Sequence, residues 1–232
     1  MQGFIENSVF FGVIVSLFSY GIGTALKKRF KYSLLNPLLI AIVLTILILL
    51  ALQIDYATYY EGAKYISYLL TPATICLAIP LYEQMELLKK NVKIILVGIL
   101  SGVLTSLCSI LVMALLFGLS HAEYVTLLPK SVTTAIGIGI SEELGGYVSI
   151  TAAVIIVTGI LGNVIADILF KVFRITEPIA KGIALGTASH AIGTAKAIEL
   201  GETEGAMSSL SIVVAGILTV AGASIFAQFK MP

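Results

Sequence analysis

The chain has 232 residues, 58% of them hydrophobic and only 12% charged, with a formal net charge of +1 and a mean hydropathy of +1.05. A soluble domain carries about 25% charged residues, so the composition excludes a soluble globular class and indicates a polytopic membrane protein. The near-zero net charge gives no argument for an acidic or nucleic-acid partner, because in membrane proteins the placement of charge matters more than its sum.

The first apolar stretch, Ser8–Leu26, lacks a basic leader and ends in Lys27-Lys28-Arg29 rather than a small-residue cleavage site. It is therefore expected to stay as a membrane helix instead of leaving as a signal peptide. Leu34–Ile54, Val92–Leu119 and Tyr147–Phe170 are also long enough for a hydrocarbon core, which takes about 20 residues. Ala206–Phe229 is similar but richer in Gly and Ser. Three further apolar stretches are broken: Tyr65–Gln84 by Pro72 and Pro80, Leu127–Gly146 by Pro129 and glycines, and Ile183–Gly201 by Gly186, His190 and Gly193. Such breaks survive in a membrane only where protein or a water-filled cavity surrounds the freed backbone groups. Cys76 and Cys108 fall in apolar stretches, where Cys acts as a small hydrophobe, so neither a disulfide nor a metal site is expected. With Trp absent, ten Tyr and ten Phe must supply interfacial anchors.

The broken stretches carry a repeat. Thr133-Thr134-Ala135-Ile136-Gly137, followed by Glu143-Leu144-Gly145, returns as Ser189-His190-Ala191-Ile192-Gly193, followed by Glu199-Leu200-Gly201. Each copy leads into a helix bearing Gly-Ile-Leu, at Gly159-Ile160-Leu161 and Gly216-Ile217-Leu218. A looser third copy runs from Pro72-Ala73-Thr74 through Pro80 and Glu83 to Gly98-Ile99-Leu100. Paired Gly-interrupted segments in matching places point to the substrate site of a transporter. The fold expected is all-α: a single transmembrane domain over 1–232 with about five or six full helices plus broken or re-entrant segments in inverted repeats. It divides into an N-terminal helix pair, 1–60, and units 65–119, 127–173 and 183–229. By the positive-inside rule, Lys27–Lys31, Lys89–Lys93 and Lys171–Lys181 are cytoplasmic and the N-terminus is outside. Leu127–Gly146 must then dip in from outside and Ile183–Gly201 from inside. If all broken segments crossed fully, Lys171 and Arg174 would lie outside.

Half-helices starting inside the bilayer expose unpaired N–H groups and about half a positive charge, which suits a carboxylate. Ser131, Thr133 and Thr134 in one copy, and Thr187, Ser189 and Thr194 in the other, could cap such termini or bind a ligand. They could equally satisfy backbone groups freed by the glycines. His190 reads as a proton relay or ligand donor, or as a neutral ring bonded to a carbonyl. Lys196 shares a helical face with Glu199 and either pairs with it or faces a cavity and draws an anion. Asp167 is expected to pair with Lys171 four residues on. Lys130, just before the second motif, either draws anions from outside or is a solvated entrance lysine. Pro72, Thr74, Gly137 and Gly193 complete the candidate substrate-binding set, while Gly98, Gly159 and Gly216 are read as close-packing positions. Ser189 beside His190 is no catalytic pair, since helical neighbours point about 100° apart. With no phosphate loop, zinc spacing or nucleic-acid signature, neither an enzyme nor a cofactor or metal is expected.

Pro72-Ala73-Thr74 with Pro80-Leu81-Tyr82, Leu128-Pro129-Lys130-Ser131-Val132-Thr133-Thr134, and Gly186-Thr187-Ala188-Ser189-His190-Ala191-Ile192-Gly193-Thr194-Ala195-Lys196 resemble the LrgB/CidB family. Asn36-Pro37 and Glu204-Gly205-Ala206-Met207-Ser208-Ser209 fit it too. The second and third motifs look more like the CidB side. The resemblance covers essentially the whole chain and implies one of two functions in a bacterial plasma membrane. One is holin-like or antiholin-like control of murein hydrolase activity and autolysis, with a small LrgA/CidA-like membrane partner. The other is movement of small carboxylates, as implied by a related plastid translocator of glycolate and glycerate and by bacterial pairs associated with pyruvate uptake; the two functions can coexist. A compact, hydroxyl-lined inverted site favours the carboxylate carrier, alternating access around the two motifs. A lipid bilayer and a small carboxylate are thus the expected partners, self-association into a homo-oligomer is compatible, and no nucleic acid is expected.

Overall fold

The computed structural model describes residues 10–30, 35–76, 78–229 and 231. The described residues form helices and connecting turns with no strand among them, as the composition demands. The chain falls into two compact units, Met1–Cys76 and Leu77–Pro232.

The first unit holds α1 (Phe11–Phe30), α2 (Pro37–Leu52), α3 (Tyr56–Ser67) and α4 (Leu70–Cys76). Asn36 starts α2: its side chain accepts from the Leu38 and Leu39 amides, and Pro37 at the first helical position needs no such partner. Asp55 does the same for α3 through the Thr58 amide. The Thr58 hydrogen bonds hold the Asp55 carboxyl below the usual carboxylate range. Small residues let α1 touch both neighbours. Gly12 lies against the backbone of Tyr59 and Ala63, Gly23 lies against Pro37, and Ser16 Oγ stands 2.7 Å from the Tyr59 hydroxyl.

The second unit holds α5 (Ala78–Glu83), α6 (Met85–Phe117), α7 (His121–Leu127), α8 (Thr134–Glu143), α9 (Val148–Val172), α10 (Pro178–Leu200) and α11 (Glu202–Phe226). Ser120 caps α7 in a reciprocal box with Glu123, and the backbone and hydroxyl of Ser120 hold the Glu123 carboxyl below its ordinary range. Among the described residues, length and hydropathy mark α6, α9 and α11 as membrane spans. The five or six expected are not reached by these criteria for identifiable reasons. α2 has 16 residues, α1 spends its last turn on Lys27, Lys28 and Arg29, and the Pro72 segment is divided into short helices. The chain is an all-α membrane protein. Large apolar side chains such as Leu116, Val157 and Ile217 point outward, as contact with lipid requires.

Helix directions follow from which residues face one another. Gly98 and Gly102 of α6 stand opposite Ile183 and Thr187, so α6 and the start of α10 run parallel. Gly182 meets Glu204 and Met207, and Gly186 meets Ser208 and Ser211, so the start of α10 also runs with α11. After His190 the order reverses: Thr194 bonds Ser208, whereas Ile198 packs on Gly205. Thus α10 is a hairpin of two arms rather than one rod. His190, at φ 43° and ψ −135°, is the turn, and a Cβ on Gly193 would stand 2.3 Å from the Leu185 carbonyl oxygen. In a straight helix residues eight apart are separated by about 12 Å. The second arm runs with α9, since Asn163 donates to Ile192 O and Lys196 donates to Asp167.

Leu127–Gly146 returns on itself in the same way. The Tyr147 amide donates to Thr126 Oγ1 at 2.7 Å, so the segment ends where it began. Thr151 Oγ1 donates to Thr126 O and lies 2.7 Å from Ser141 Oγ, fastening α8 to both flanks. Ser141 opposite Thr151 and Gly137 opposite Ile155 make α8 antiparallel to α9. The starts of α6, α10 and α11 and the end of α9 therefore share one end of the unit. Lys89, Lys90, Lys93, Lys171, Arg174 and Lys181 all belong to that end.

The core is built from one stripe of α6, Ile95, Ile99, Val103, Leu107, Ile110 and Ala114, at the spacing that keeps one helical face inward. It packs with Tyr124, Val125 and Leu128 from the α7 region and Ala206, Met207, Ala215 and Ala223 from α11. Lys196 corrects one expected pairing. Its ammonium lies 2.9 Å from Asp167 Oδ2, so Asp167 serves the hairpin rather than Lys171.

Gly186→Ala is expected to lower stability in detergent by about 1–3 kcal/mol, as overpacking does, because its Cβ would stand 2.4 Å from Ser208 O. Gly139→Ala meets nothing within 4 Å and is expected to be neutral or stabilising by up to about 1 kcal/mol. Thermal unfolding of the purified variants checks both. At the turn, His190→Gly is expected to be less damaging than His190→Ala by about 1–3 kcal/mol. Both lose the ring, but only glycine relieves the left-handed backbone. The ranking of unfolding temperatures decides it.

Candidate functional site

A cavity of ≈ 810 Å³ lies between α6, the α7–α8 connection and the first arm of α10. It follows α6 from Asn91 to Ser109, about 27 Å of helix rise. The α6 wall is made of glycine and hydroxyl residues, Gly98, Ser101, Gly102, Thr105, Ser106 and Ser109. Opposite stand Ile183, Ala184, Thr187 and Ala188 of α10. Gly98 and Gly102 permit this approach: a Cβ on Gly102 would stand 2.7 Å from Thr187 Cγ2.

Lys130 and Ser131 enter the cavity from the connection before α8. Lys130 is half-buried, and its ammonium donates to Ser131 Oγ at 2.9 Å and Ser106 Oγ at 3.1 Å. Ser106 in turn donates to Ser131 at 3.3 Å. No carboxylate pairs with Lys130 among the described residues. Thr187 is only 5% exposed, and its hydroxyl has no hydrogen-bond partner. A buried hydroxyl without a partner is costly.

Two half-helices begin beside that cavity. α8 starts after Thr133, which has extended backbone angles but whose side chain makes no capping bond, so the expected hydroxyl cap is not formed. The first amides of α8 therefore lack that partner. The second arm of α10 starts after His190. Gly137 lies level with Ile155 of α9, so continuing the register one turn sets Thr134 near Thr158. His190 packs on Gly159 and bonds the Ile155 carbonyl at 3.0 Å. The two starts thus meet at the middle of α9 and run in opposite directions. The cavity reaches Thr187 on one side and Ser131 on the other, within a turn of each start.

Of the sequence-predicted residues, the cavity brings together Ser131 and Thr187. Ser189 is 1% exposed and packs on Gly162, while His190 is buried with its ring on a carbonyl. Thr194 bonds His190 O and Ser208, and Gly193 provides the close approach inside the hairpin. Thr133, Thr134 and Gly137 lie at the start of α8 but do not line the cavity, and Lys196 is engaged with Asp167. Pro72 is exposed on α4 in the first unit, and the side chain of Thr74 lies outside the described residues. Gly159 and Gly216 are close-packing positions, with a Cβ meeting His190 and Ile136 at 2.8 and 2.9 Å; Gly98 makes ordinary contact. Ser101, Thr105, Ser106 and Ser109 were legible as hydroxyls within an apolar span, but span length alone hides the face they share.

No solved structure matches this chain significantly. Antiholin-like protein LrgB of Bacillus cereus (strain B4264) is 42% identical over 221 residues, covering 95% of this chain and 96% of that protein. Antiholin-like protein LrgB of Bacillus anthracis (strain CDC 684 / NRRL 3495) matches to the same extent. The expected leaning toward the CidB wording thus meets relatives that carry the LrgB name. Residues 16–229, which include both hairpins and the cavity, match the LrgB-like family, and the chain belongs to that family.

Proposed function

We propose that the chain carries small 2-hydroxy or 2-oxo monocarboxylates, of the pyruvate, glycolate and glycerate class, across a bacterial plasma membrane by alternating access. The supporting observation is the meeting of two oppositely directed half-helix starts at mid-span, beside a hydroxyl-walled cavity that holds Lys130. Each start contributes about half a positive charge, and the lysine adds a full one. That potential suits an anion, and the hydroxyls suit its oxygens. An oppositely oriented pair of hairpins also supplies the two-fold relation on which alternating access depends. The basic end of the second unit is then cytoplasmic. A holin-type pore requires no such paired arrangement.

The relatives' printed name favours a second, antiholin-like function, which the family resemblance extends to regulation of murein hydrolase activity with a small LrgA/CidA-type membrane protein. Such a regulator works through helix surfaces and contacts, so substitutions in the cavity would leave lysis unchanged.

Purified protein in sealed vesicles is expected to take up labelled pyruvate, glycolate or glycerate under a pH gradient without passing bulky dyes. Dye leakage with no carboxylate uptake would reject the carrier. Within a working carrier, Ser131→Val is expected to slow uptake about tenfold, the scale of one lost hydrogen bond to a charged group. Lys181→Ala, at the basic end, is expected to leave uptake within about twofold, as for a surface charge.

A further inference from the structure

We propose that Lys130 and Thr187 are the two ends of a clamp for one small acid, the carboxylate on Lys130 and the 2-oxygen on Thr187, and that Glu177 at the far end of the cavity excludes a second negative charge. This rests on the transport function proposed above and names the residues that set its selectivity.

Three observations carry it. Lys130 donates to two hydroxyl oxygens, Ser131 and Ser106, which orient the ammonium but do not neutralise it. Lys196, also half-buried, is by contrast engaged with Asp167 at 2.9 Å. Lys130 thus has the charge, the cavity position and no counter-ion among the described residues. Thr187 supplies the opposite end: the residue lines the cavity, and its hydroxyl is buried with no protein partner. Its level is set by Gly102, which it touches, while Ser106 beside Lys130 is one turn farther along α6. One turn is about 5.4 Å of rise. Two hydrogen bonds of about 2.8 Å joined through a carboxylate and the adjacent 2-oxygen are long enough to bridge that interval.

Glu177 provides the discrimination. It lines the cavity and precedes the first residue of α10, about 15 Å of helix rise from Thr187. Among the described lining residues it is the one acid and Lys130 the one base. A monoanion ends its passage on the cation, whereas a dianion meets one lysine and, at the exposed end of the cavity, a carboxylate that repels its second charge.

Binding of labelled glycolate and acetate to the full chain in lipid nanodiscs tests the clamp, since acetate lacks the 2-oxygen. Lys130→Met is expected to weaken both acids about thirtyfold, and Lys130→Arg to retain most binding of each. Thr187→Val is expected to weaken glycolate about three- to tenfold and leave acetate unchanged, with Thr187→Ser restoring glycolate. In sealed vesicles, Glu177→Gln is expected to raise uptake of tartronate, the dianionic analogue of glycolate, about tenfold relative to glycolate. Thermal unfolding and gel filtration accompany each variant, so that loss of fold is seen as such. If wild type binds glycolate and the Lys130 and Thr187 variants bind it equally well, the clamp is overturned while transport stands. Equal loss of acetate and glycolate in Thr187→Val would make Thr187 structural and also overturn it. An unchanged tartronate ratio in Glu177→Gln overturns the charge filter. If wild type neither binds nor moves any of these acids, the transport function and the clamp fall together.

Discussion

The second unit depends on one constraint: where a chain in an apolar solvent stops being helical, its amides and carbonyls need partners that water cannot supply. Two breaks, near Pro129 and at His190, are closed by side chains of neighbouring helices. Thr126 accepts from the Tyr147 amide, Asn163 donates to the Ile192 carbonyl, Thr194 to the His190 carbonyl, and the His190 ring engages the Ile155 carbonyl. Each closure ties a hairpin to α9 or to its own second arm. The bonds that make the breaks tolerable therefore also fix the places where the half-helices begin. The cavity and its polarity follow from that positioning.

Close approach is the other half of the same design. A hairpin lodged between full helices needs backbone nearly touching backbone, and Gly182, Gly186, Gly193 and Gly162 provide it. At Gly162 the room is taken by the Ser189 hydroxyl, which a Cβ would displace outright. Apolar attraction between helices is weak in lipid, so small residues and interhelical hydrogen bonds carry the packing instead. The Asp167–Lys196 pair adds a charged tie where the second arm returns toward the basic end.

Much of this architecture was legible before any coordinates. The repeat at Thr133–Gly137 and Ser189–Gly193 marked the two breaks, and the lysine clusters implied opposite entry into the membrane. In the fold, α8 and the second arm of α10 run opposite ways. The lining of the cavity was much less legible. A motif shows which residues recur, but not which of them a fold spends on its own backbone. His190 and Thr194 bond carbonyls freed by the very turn they occupy, a local geometry that spacing does not encode. Ser106 was hidden for another reason: it shares a face with Gly98 and Gly102, and that face becomes special only when the α10 hairpin packs against it.

The hydroxyls thereby separate into two populations with different physics. Thr126, Thr151, Ser141, Thr194 and Ser208 form closed bonds within the helical framework. Their donors and acceptors are matched, so they stabilise the breaks and leave nothing for a ligand. Ser106, Ser131 and Thr187 face the cavity, where the first two only orient a lysine and the third satisfies no protein group. In a low-dielectric setting an unmatched hydroxyl and an unneutralised ammonium both raise the energy of the protein by itself. In the proposed clamp, an acid that supplies one charge and one adjacent oxygen would relieve both, whereas a neutral solute would leave the ammonium unneutralised and a second carboxylate would bring a new charge toward Glu177. The proposed ligand chemistry therefore rests on what the fold leaves unsatisfied rather than on the recurring motif.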